Sequence, residues 1–342
     1  MTASYAYCTY FDSGYLARGL ALFESLASRG DTAEIWVLCL DDETKTYLDS
    51  CGDARLHTIT TADIEAYEPR LLTVKSARSR MEYIFTCTPQ LVRFVQAKQS
   101  DPTAVAIYLD ADLYFFDDPA HVVGALETAS VGIIEHRYPR RLERRLLKYG
   151  RFNVGWVGFR NDENGRGCAD WWAESCLDWC YDTPEDGRYA DQGYLDEFPT
   201  RFDGVRVLSD AGFDLAPWNT GRHTLTTRAV GNRRPDVLVD GRSPLAFFHF
   251  HGLRERGRWF VTSQLLYHSS MTSVLRKHVY QPYVHCLDRH RRAVRLHLPH
   301  VGVARRGKGL RGVLFGFQRW VIDLVSIASG NAIRSSGLTP PS

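Results

Sequence analysis

Residues 105–109, Val-Ala-Ile-Tyr-Leu, are apolar at every position and run straight into Asp110-Ala111-Asp112. A short unbroken apolar run reads as a strand buried on both faces, as in a parallel sheet covered by helices. Comparable runs predict strands at 4–10, 34–40, 55–60 and 130–135. Between them apolar residues recur three and four apart, which predicts helices at 15–28, 42–50, 80–98 and 118–128. The alternation predicts an α/β fold whose mixed, mainly parallel sheet is flanked by helices. Sites in such sheets lie at the carboxyl ends of strands, where Tyr10, Asp41 and Asp110 fall.

The second half changes character. Asn153-Val154-Gly155-Trp156-Val157-Gly158-Phe159 predicts another buried strand, followed by a helix bearing Trp171, Trp172 and Trp179. Asp191-Gln192 opens a short amphipathic segment, short strands occupy 205–250, and a helical region covers 262–293. Residues 137–151 hold seven Arg/Lys and one Glu, with Leu142, Leu146 and Leu147 at helical spacing. That segment is either a solvated basic helix or an electropositive lip for a phosphate-bearing substrate or anionic lipid. The stretch 305–328 is too short, and too interrupted by Gln318, Arg319 and Asp323, to span a bilayer. It reads as a membrane-surface helix, or equally as one docking on its own domain or a second subunit.

Charge narrows the partners. The chain of 342 residues carries a net charge of +2, but residues 281–342 hold ten basic and two acidic side chains. A weakly acidic body with a basic tail excludes a nucleic-acid binder that uses its whole surface. Tyr5-Ala6-Tyr7-Cys8-Thr9-Tyr10-Phe11 reads as a strand where a secretion signal would stand. The eight cysteines lack the spacing of a disulfide scaffold or a zinc site. Together these place the expected location in the cytoplasm, with peripheral contact at the inner face of the membrane through 300–342.

Asp110 and Asp112 are two apart on extended chain, so both point into one volume. Two carboxylates about 4 Å apart repel by roughly 4 kcal/mol at an intermediate dielectric. No Lys or Arg lies within 105–118 to offset this. The triplet is therefore either a solvated acidic turn or a site for a hard divalent cation such as Mn²⁺ or Mg²⁺.

An ordered series extends the pair. It consists of Cys8-Thr9-Tyr10 with Tyr15 and Leu22-Phe23-Glu24-Ser25-Leu26, then Tyr108-Leu109-Asp110-Ala111-Asp112, Phe152-Asn153-Val154-Gly155, Asp191-Gln192, and His249-Phe250-His251-Gly252. Over roughly residues 3–260 the chain resembles the family 8 glycosyltransferases, which are nucleotide-diphospho-sugar transferases of the Rossmann-like GT-A fold. It is also similar to a bacterial branch in which Leu-Tyr-Phe-Phe follows the second aspartate.

The resemblance implies a catalytic domain over 1–260, with a nucleotide-binding half at 1–135 and a sugar and acceptor half at 150–260. A helical extension at 261–299 and a basic amphipathic tail at 300–342 follow. It implies that Asp110, Asp112 and His249 hold Mn²⁺ or Mg²⁺ on the donor diphosphate, with His251 ranked second to His249. Taken alone, His249 reads as a core histidine. Thr9 and Tyr10 match the loop that receives a nucleoside, usually uridine. Ala111, Gly155 and Gly252 fall within the donor-binding motifs. Asn153, Asp191 and Gln192 match positions near the transferred sugar, with Asp191 the candidate nucleophile or base. Arg93 has the spacing of a donor-contacting arginine, and Glu135 is a candidate for a sugar hydroxyl. Arg254, Arg256 and Arg258 are candidates for a second clamp on the phosphates. Glu255 stands where the family has a lysine. Trp218 and Asn219 are expected on the acceptor side.

The expected reaction moves a hexose from a nucleotide-diphosphate sugar, UDP-linked by resemblance, to a hydroxyl of a saccharide or lipid-linked acceptor, with retention. Surface-polysaccharide or glycolipid synthesis is the expected setting. The alternatives are a sugar-phosphate nucleotidyltransferase, which lacks its glycine-rich basic loop here, and a non-catalytic scaffold that binds nucleotide sugars.

Overall fold

The computed structural model describes residues 4–231, 234–301 and 321–335. Its strands are β1 (Tyr5–Phe11), β2 (Glu34–Cys39), β3 (Leu56–Thr60), β4 (Val105–Leu109), β5 (Leu113–Phe115), β6 (Val131–Glu135), β7 (Phe152–Arg160), β8 (Val205–Val207), β9 (Leu225–Arg228), β10 (Asp236–Val239), β11 (Ser243–Pro244), β12 (Phe247–His249), β13 (Arg254–Arg256), β14 (Trp259–Val261) and β15 (Ala332–Arg334). Seven form the main sheet in the order β3-β2-β1-β4-β7-β6-β8. β1 to β4 pair in parallel, β7 runs antiparallel between β4 and β6, and β8 returns parallel to β6. This is the mixed, mainly parallel sheet that the alternation predicts, with helices packed on its faces.

The alternation along β4 sets the two faces. Val105, Ile107 and Leu109 enter one core with Leu22, Leu26 and Trp156, whereas Ala106 and Tyr108 enter the other with Leu91, Val95 and Trp172. Trp156 is wholly buried, and Gly132 and Gly158, which face each other across β6 and β7, make room for its indole. A Cβ on Gly158 would stand 2.9 Å from that ring. The helix Arg80–Gln96 starts with a Ser79–Glu82 capping box. Asp41 caps the helix Asp42–Ser50 and accepts from Ser13, so its strand-end carboxylate is already engaged. The helices Thr61–Tyr67 and Arg70–Ala77 and the strand β5 have no counterpart in the sequence reading. All eight cysteines are free thiols, seven of them buried.

The basic segment 137–151 is a 3₁₀ helix, Arg140–Arg145, followed by one α turn, Leu146–Tyr149. Only the end of the 305–328 stretch lies among the described residues, and it docks on the domain. Residues 321–328 are helical, and β15 extends the β13–β14 hairpin. Asp323 is buried there and pairs with Arg254 at 2.5 Å and Arg256 at 2.6 Å. No helix among the described residues is long and apolar enough to cross a membrane. Removing one member of a buried ion pair leaves uncompensated charge and costs about 3 kcal/mol. Asp323→Ala is accordingly expected to lower the unfolding midpoint by several degrees; an unchanged midpoint would show that this docking contributes nothing.

Candidate active site

β4 ends at Leu109, and the chain then reverses in a tight turn, with Leu113 N–H donating to Asp110 O. β5 leaves that turn and pairs antiparallel with β12, which sets His249 opposite Leu113. Phe250 N–H donates to Asp112 O at 2.9 Å and locks the register. Residues 137 positions apart in the chain are thereby brought to one point. His249 Nε2 lies 3.1 Å from Asp112 Oδ1 and 3.6 Å from Asp110 Oδ2, and donor atoms of all three side chains lie within 4.8 Å of one another.

Two oxygen donors and one imidazole nitrogen suit Mn²⁺ or Mg²⁺. The backbone leaves space for the imidazole: a Cβ on Gly155 would stand 2.8 Å from His249 Nδ1. Tyr108 Oη donates to Asp110 Oδ1 at 2.9 Å and fixes that carboxylate. On the far side of the imidazole, Nδ1 lies 3.6 Å from Asp214 Oδ1. Asp214 is completely buried, and its other oxygen accepts from Asn153 Nδ2 at 2.9 Å. Its backbone holds a positive φ of 49°, clamped by Asn219 Nδ2 donating to its carbonyl. A carboxylate behind a metal-ligating histidine fixes the ring orientation and frees the opposite nitrogen. Asp214→Ala is expected to weaken Mn²⁺ binding about 10- to 100-fold, measured as free Mn²⁺ by electron paramagnetic resonance. Wild-type affinity in that variant would remove Asp214 from the site.

The charges are unevenly shared. Burial pushes Asp110 up to about 6, the neighbouring Asp112 adds to this, and the His249 charge opposes it. Burial also acts on Asp112, but the charge and hydrogen bond of His249 outweigh it and bring the group down to about 2. Burial alone would lower His249, yet Asp112, Asp214 and Asp110 together hold it well above its ordinary value. Burial and the Asp110 charge push Asp191 up to about 7.

Asp110 and His249 open on a cavity of about 290 Å³, lined also by Tyr10, Asn153, Asp191, Gln192, Trp218 and His251. Gln192 is held by donating to Tyr149 O at 2.6 Å, and the Trp172 indole donates to Asp191 O. The Trp218 and His249 rings meet in a T-shaped arrangement with centroids 5.0 Å apart. His251 lies beyond the end of β12, with its ring 6.0 Å from that of His249.

Other candidates sit elsewhere. Thr9 is buried inside β1, while Tyr10 next to it reaches the cavity. Arg93 is bound by Asp170 at 2.6 Å and Glu68 at 3.5 Å, between helices, and does not line the cavity. Glu135 is paired with Arg151. Asn219 is completely buried and serves the backbone of Ala216 and Asp214, so it presents no face to an acceptor. Ala111 is buried in the turn, and Gly252 takes a positive φ of 69° with Ser263 against it. The clamp expected of Arg254 and Arg256 is corrected by their pairing with Asp323, and Arg258 is exposed at the turn between β13 and β14.

Several residues of the site escaped the sequence reading. Asp214 is one. Arg18, donating to Leu253 O, is the guanidinium that helps to hold Asp112 down. Arg145 lines the cavity wall. An isolated aspartate between Phe213 and Leu215 was the available signal, since a charge in apolar surroundings needs a partner.

No family model matches the chain. Among curated proteins it is similar to YfnF of Bacillus subtilis (strain 168), described as an uncharacterized protein, at 33% identity over 257 residues, covering 73% of this chain and 82% of YfnF. It is similar also to YfnD of the same strain, with the same description, at 30% identity over 253 residues, covering 73% of this chain and 78% of YfnD. Among solved structures it is similar to the galactosyltransferase LgtC in complex with donor and acceptor sugar analogues, at 16% identity and a TM-score of 0.44, covering 72% of this chain and 87% of LgtC. Mouse xyloside xylosyltransferase 1 gives 11% identity and 0.45, covering 73% and 98%. The bifunctional glycosyltransferase WbbM gives 15% and 0.42, covering 63% of this chain and 40% of WbbM, so the chain spans less than half of that protein.

Proposed function

The chain belongs to the family of the Bacillus subtilis proteins YfnF and YfnD, and for it we propose a metal-dependent glycosyltransferase of the family 8 type that moves a hexose from a nucleotide-diphosphate sugar to an acceptor hydroxyl. One observation carries this reading: Asp110, Asp112 and His249 converge at the end of β4, beside a cavity that Asp110, His249 and Asp191 line. An inert acidic turn would have no reason to draw a distant, buried imidazole onto both carboxylates.

Asp110, Asp112 and His249 would hold Mn²⁺ or Mg²⁺ at the donor diphosphate, and the ion would supply positive charge against the negative charge of the leaving nucleoside diphosphate. The chain's own residues do the rest. Asn153 and Gln192, each held by a neighbour, offer fixed amides to sugar hydroxyls. Asp191 presents a carboxylate to the sugar from a second element of the cavity wall. Tyr10 and Trp218 wall the cavity and exclude water, which favours transfer to the acceptor over hydrolysis. The donor is a UDP-sugar and the anomeric configuration is retained. The acceptor is a saccharide or lipid-linked saccharide of surface-polysaccharide or glycolipid synthesis.

Thermal unfolding with a panel of nucleotide sugars, with and without Mn²⁺, tests the donor. A ligand at a hundred times its dissociation constant adds about 2.7 kcal/mol, so a UDP-sugar with Mn²⁺ is expected to raise the midpoint by several degrees. If no nucleotide sugar does so, the reading fails. Proton NMR of the first product gives the anomer, and an inverted linkage would replace retention by direct displacement with Asp191 as base.

A further inference from the structure

The cavity wall holds one cation that the transfer step does not use. Arg145 sits at the end of the 3₁₀ helix Arg140–Arg145, its guanidinium 4.7 Å above the Tyr267 ring. Among the described residues no carboxylate pairs with it. Three other arginines of the segment are engaged: Arg137 donates to the carbonyls of Asp210 and Phe213, Arg141 to that of His268, and Arg151 to Glu135. Glu143, the single acid of 137–151, makes no ion pair among the described residues.

We infer that the acceptor is an anionic saccharide whose carboxylate or phosphate is held by Arg145, within a wall of Tyr138, Tyr149, Tyr267 and His251. This rests on the transferase reading and names the substrate class for the acceptor side of the same cavity.

Position supports it. Tyr267 lies 6.1 Å from the His251 ring, which lies 6.0 Å from that of His249. Arg145 thus stands two rings removed from the imidazole proposed to hold the metal. The diphosphate belongs to the metal end, and a cation here meets a different anion. Aromatic walls suit the apolar faces of a sugar ring, and a guanidinium suits a carboxylate or phosphate in two-pronged geometry.

The wall is also built to stay in place. Leu142 is buried with Tyr138, Ala216, Trp218 and Tyr267, and the backbone after Gly150 is pinned where Arg151 N–H donates to Asp196. Outside it, Arg140, Arg144 and Lys148 are exposed on the same segment. They give the mouth a positive field that draws an anionic acceptor in. On this inference the basic run 137–151 acts as the electropositive lip, one of the two alternatives that its sequence allowed.

Ligand-observed NMR titration of the full chain loaded with Mn²⁺ and UDP tests this, with methyl glucuronide, methyl glucoside 6-phosphate and neutral methyl glucoside as probes. At least one acidic probe is expected to bind about tenfold or more tighter than the neutral one, the scale of a charge-assisted hydrogen bond. The better acidic probe tells carboxylate from phosphate. Arg145→Gln is expected to erase the preference and Arg145→Lys to keep part of it, with the unfolding midpoint confirming that both fold. Equal affinities in the wild type, or a preference that survives Arg145→Gln, overturn the inference. A loss of UDP affinity in Arg145→Gln, with the glycoside preference intact, overturns it too, because the arginine would then serve the donor. Failure of wild type to bind UDP with Mn²⁺ is read before any glycoside is added, and overturns the transferase reading together with the inference.

Discussion

Asp112→Asn is expected to reduce transfer at least about a thousandfold, roughly 4 kcal/mol of transition-state stabilisation, and to abolish Mn²⁺ binding in the micromolar range. His249→Ala is expected to do the same. The physical reason lies in the ion pair that the site forms without a cation. His249 is held well above its ordinary value, chiefly against burial by the Asp112 charge, so at neutral pH it is protonated. A cation can take Nε2 only by expelling that proton. Wild-type affinity for Mn²⁺ is therefore expected to rise about tenfold per pH unit, levelling off above the raised His249 value. Titration calorimetry at pH 7 in two buffers of different ionisation enthalpy is expected to show about one proton released per ion bound. Release of no proton would mean that the imidazole is neutral or not a ligand. The linkage also has a sign in stability. A histidine raised by its partners contributes fully below about 6.5, and this contribution is lost as pH rises through the folded value. The metal-free protein is thus expected to weaken on the alkaline side, where its affinity for Mn²⁺ is greatest.

How much of this could be read from the sequence depends on where each side chain finds its partner. The strand β4 and the pair Asp110 and Asp112 were legible because burial on both faces writes itself as an unbroken apolar run, and the pair follows within three residues. The helices Arg80–Gln96 and Asp42–Ser50 were legible for the same local reason. His249 was not legible from its neighbours, since Leu245-Ala246-Phe247-Phe248 describes a core strand as well as a ligand strand. Only its place in an ordered series singled it out. Charged groups were misjudged wherever their partner is distant in the chain. Arg254 and Arg256 look like a phosphate clamp until Asp323, nearly seventy residues on, folds back against them. Arg93 looks free until Asp170 arrives from another helix. Arg145 was hidden among seven basic residues, and what distinguishes it is that the fold gives it a cavity and no carboxylate. Arginine pairing is a tertiary property, and spacing alone does not reveal it.

Asp191→Asn is expected to cut transfer by about a thousandfold or more while Mn²⁺ and nucleotide binding stay within a few-fold of wild type. The carboxylate lies in the cavity, buried, and its backbone carbonyl is fixed by the Trp172 indole. Burial, with Asp110 adding charge repulsion, pushes the group up to about 7. Below that pH it is protonated and cannot stabilise positive charge at the anomeric carbon or accept a proton. The rate is therefore expected to rise with pH as a single ionisation and then level off. A cation bound at Asp110 removes the repulsive part, so the limb in the metal-loaded enzyme lies below about 7 yet above the ordinary carboxylate value. The same shift has an opposite consequence for stability. Keeping an ionised carboxylate in this pocket works against folding, so the folded state loses stability as pH rises from about 4 through about 7. An asparagine carries no such charge, and Asp191→Asn is expected to unfold at a higher temperature than wild type at pH 8 and at nearly the same temperature at pH 4. Scanning both proteins at the two pH values checks this. A group kept for structure should destabilise the fold when replaced. One kept for chemistry, in a pocket that resists its charge, should stabilise the fold as activity is lost. Lower stability together with lower activity in Asp191→Asn would return Asp191 to the scaffold and leave the transfer step without its carboxylate.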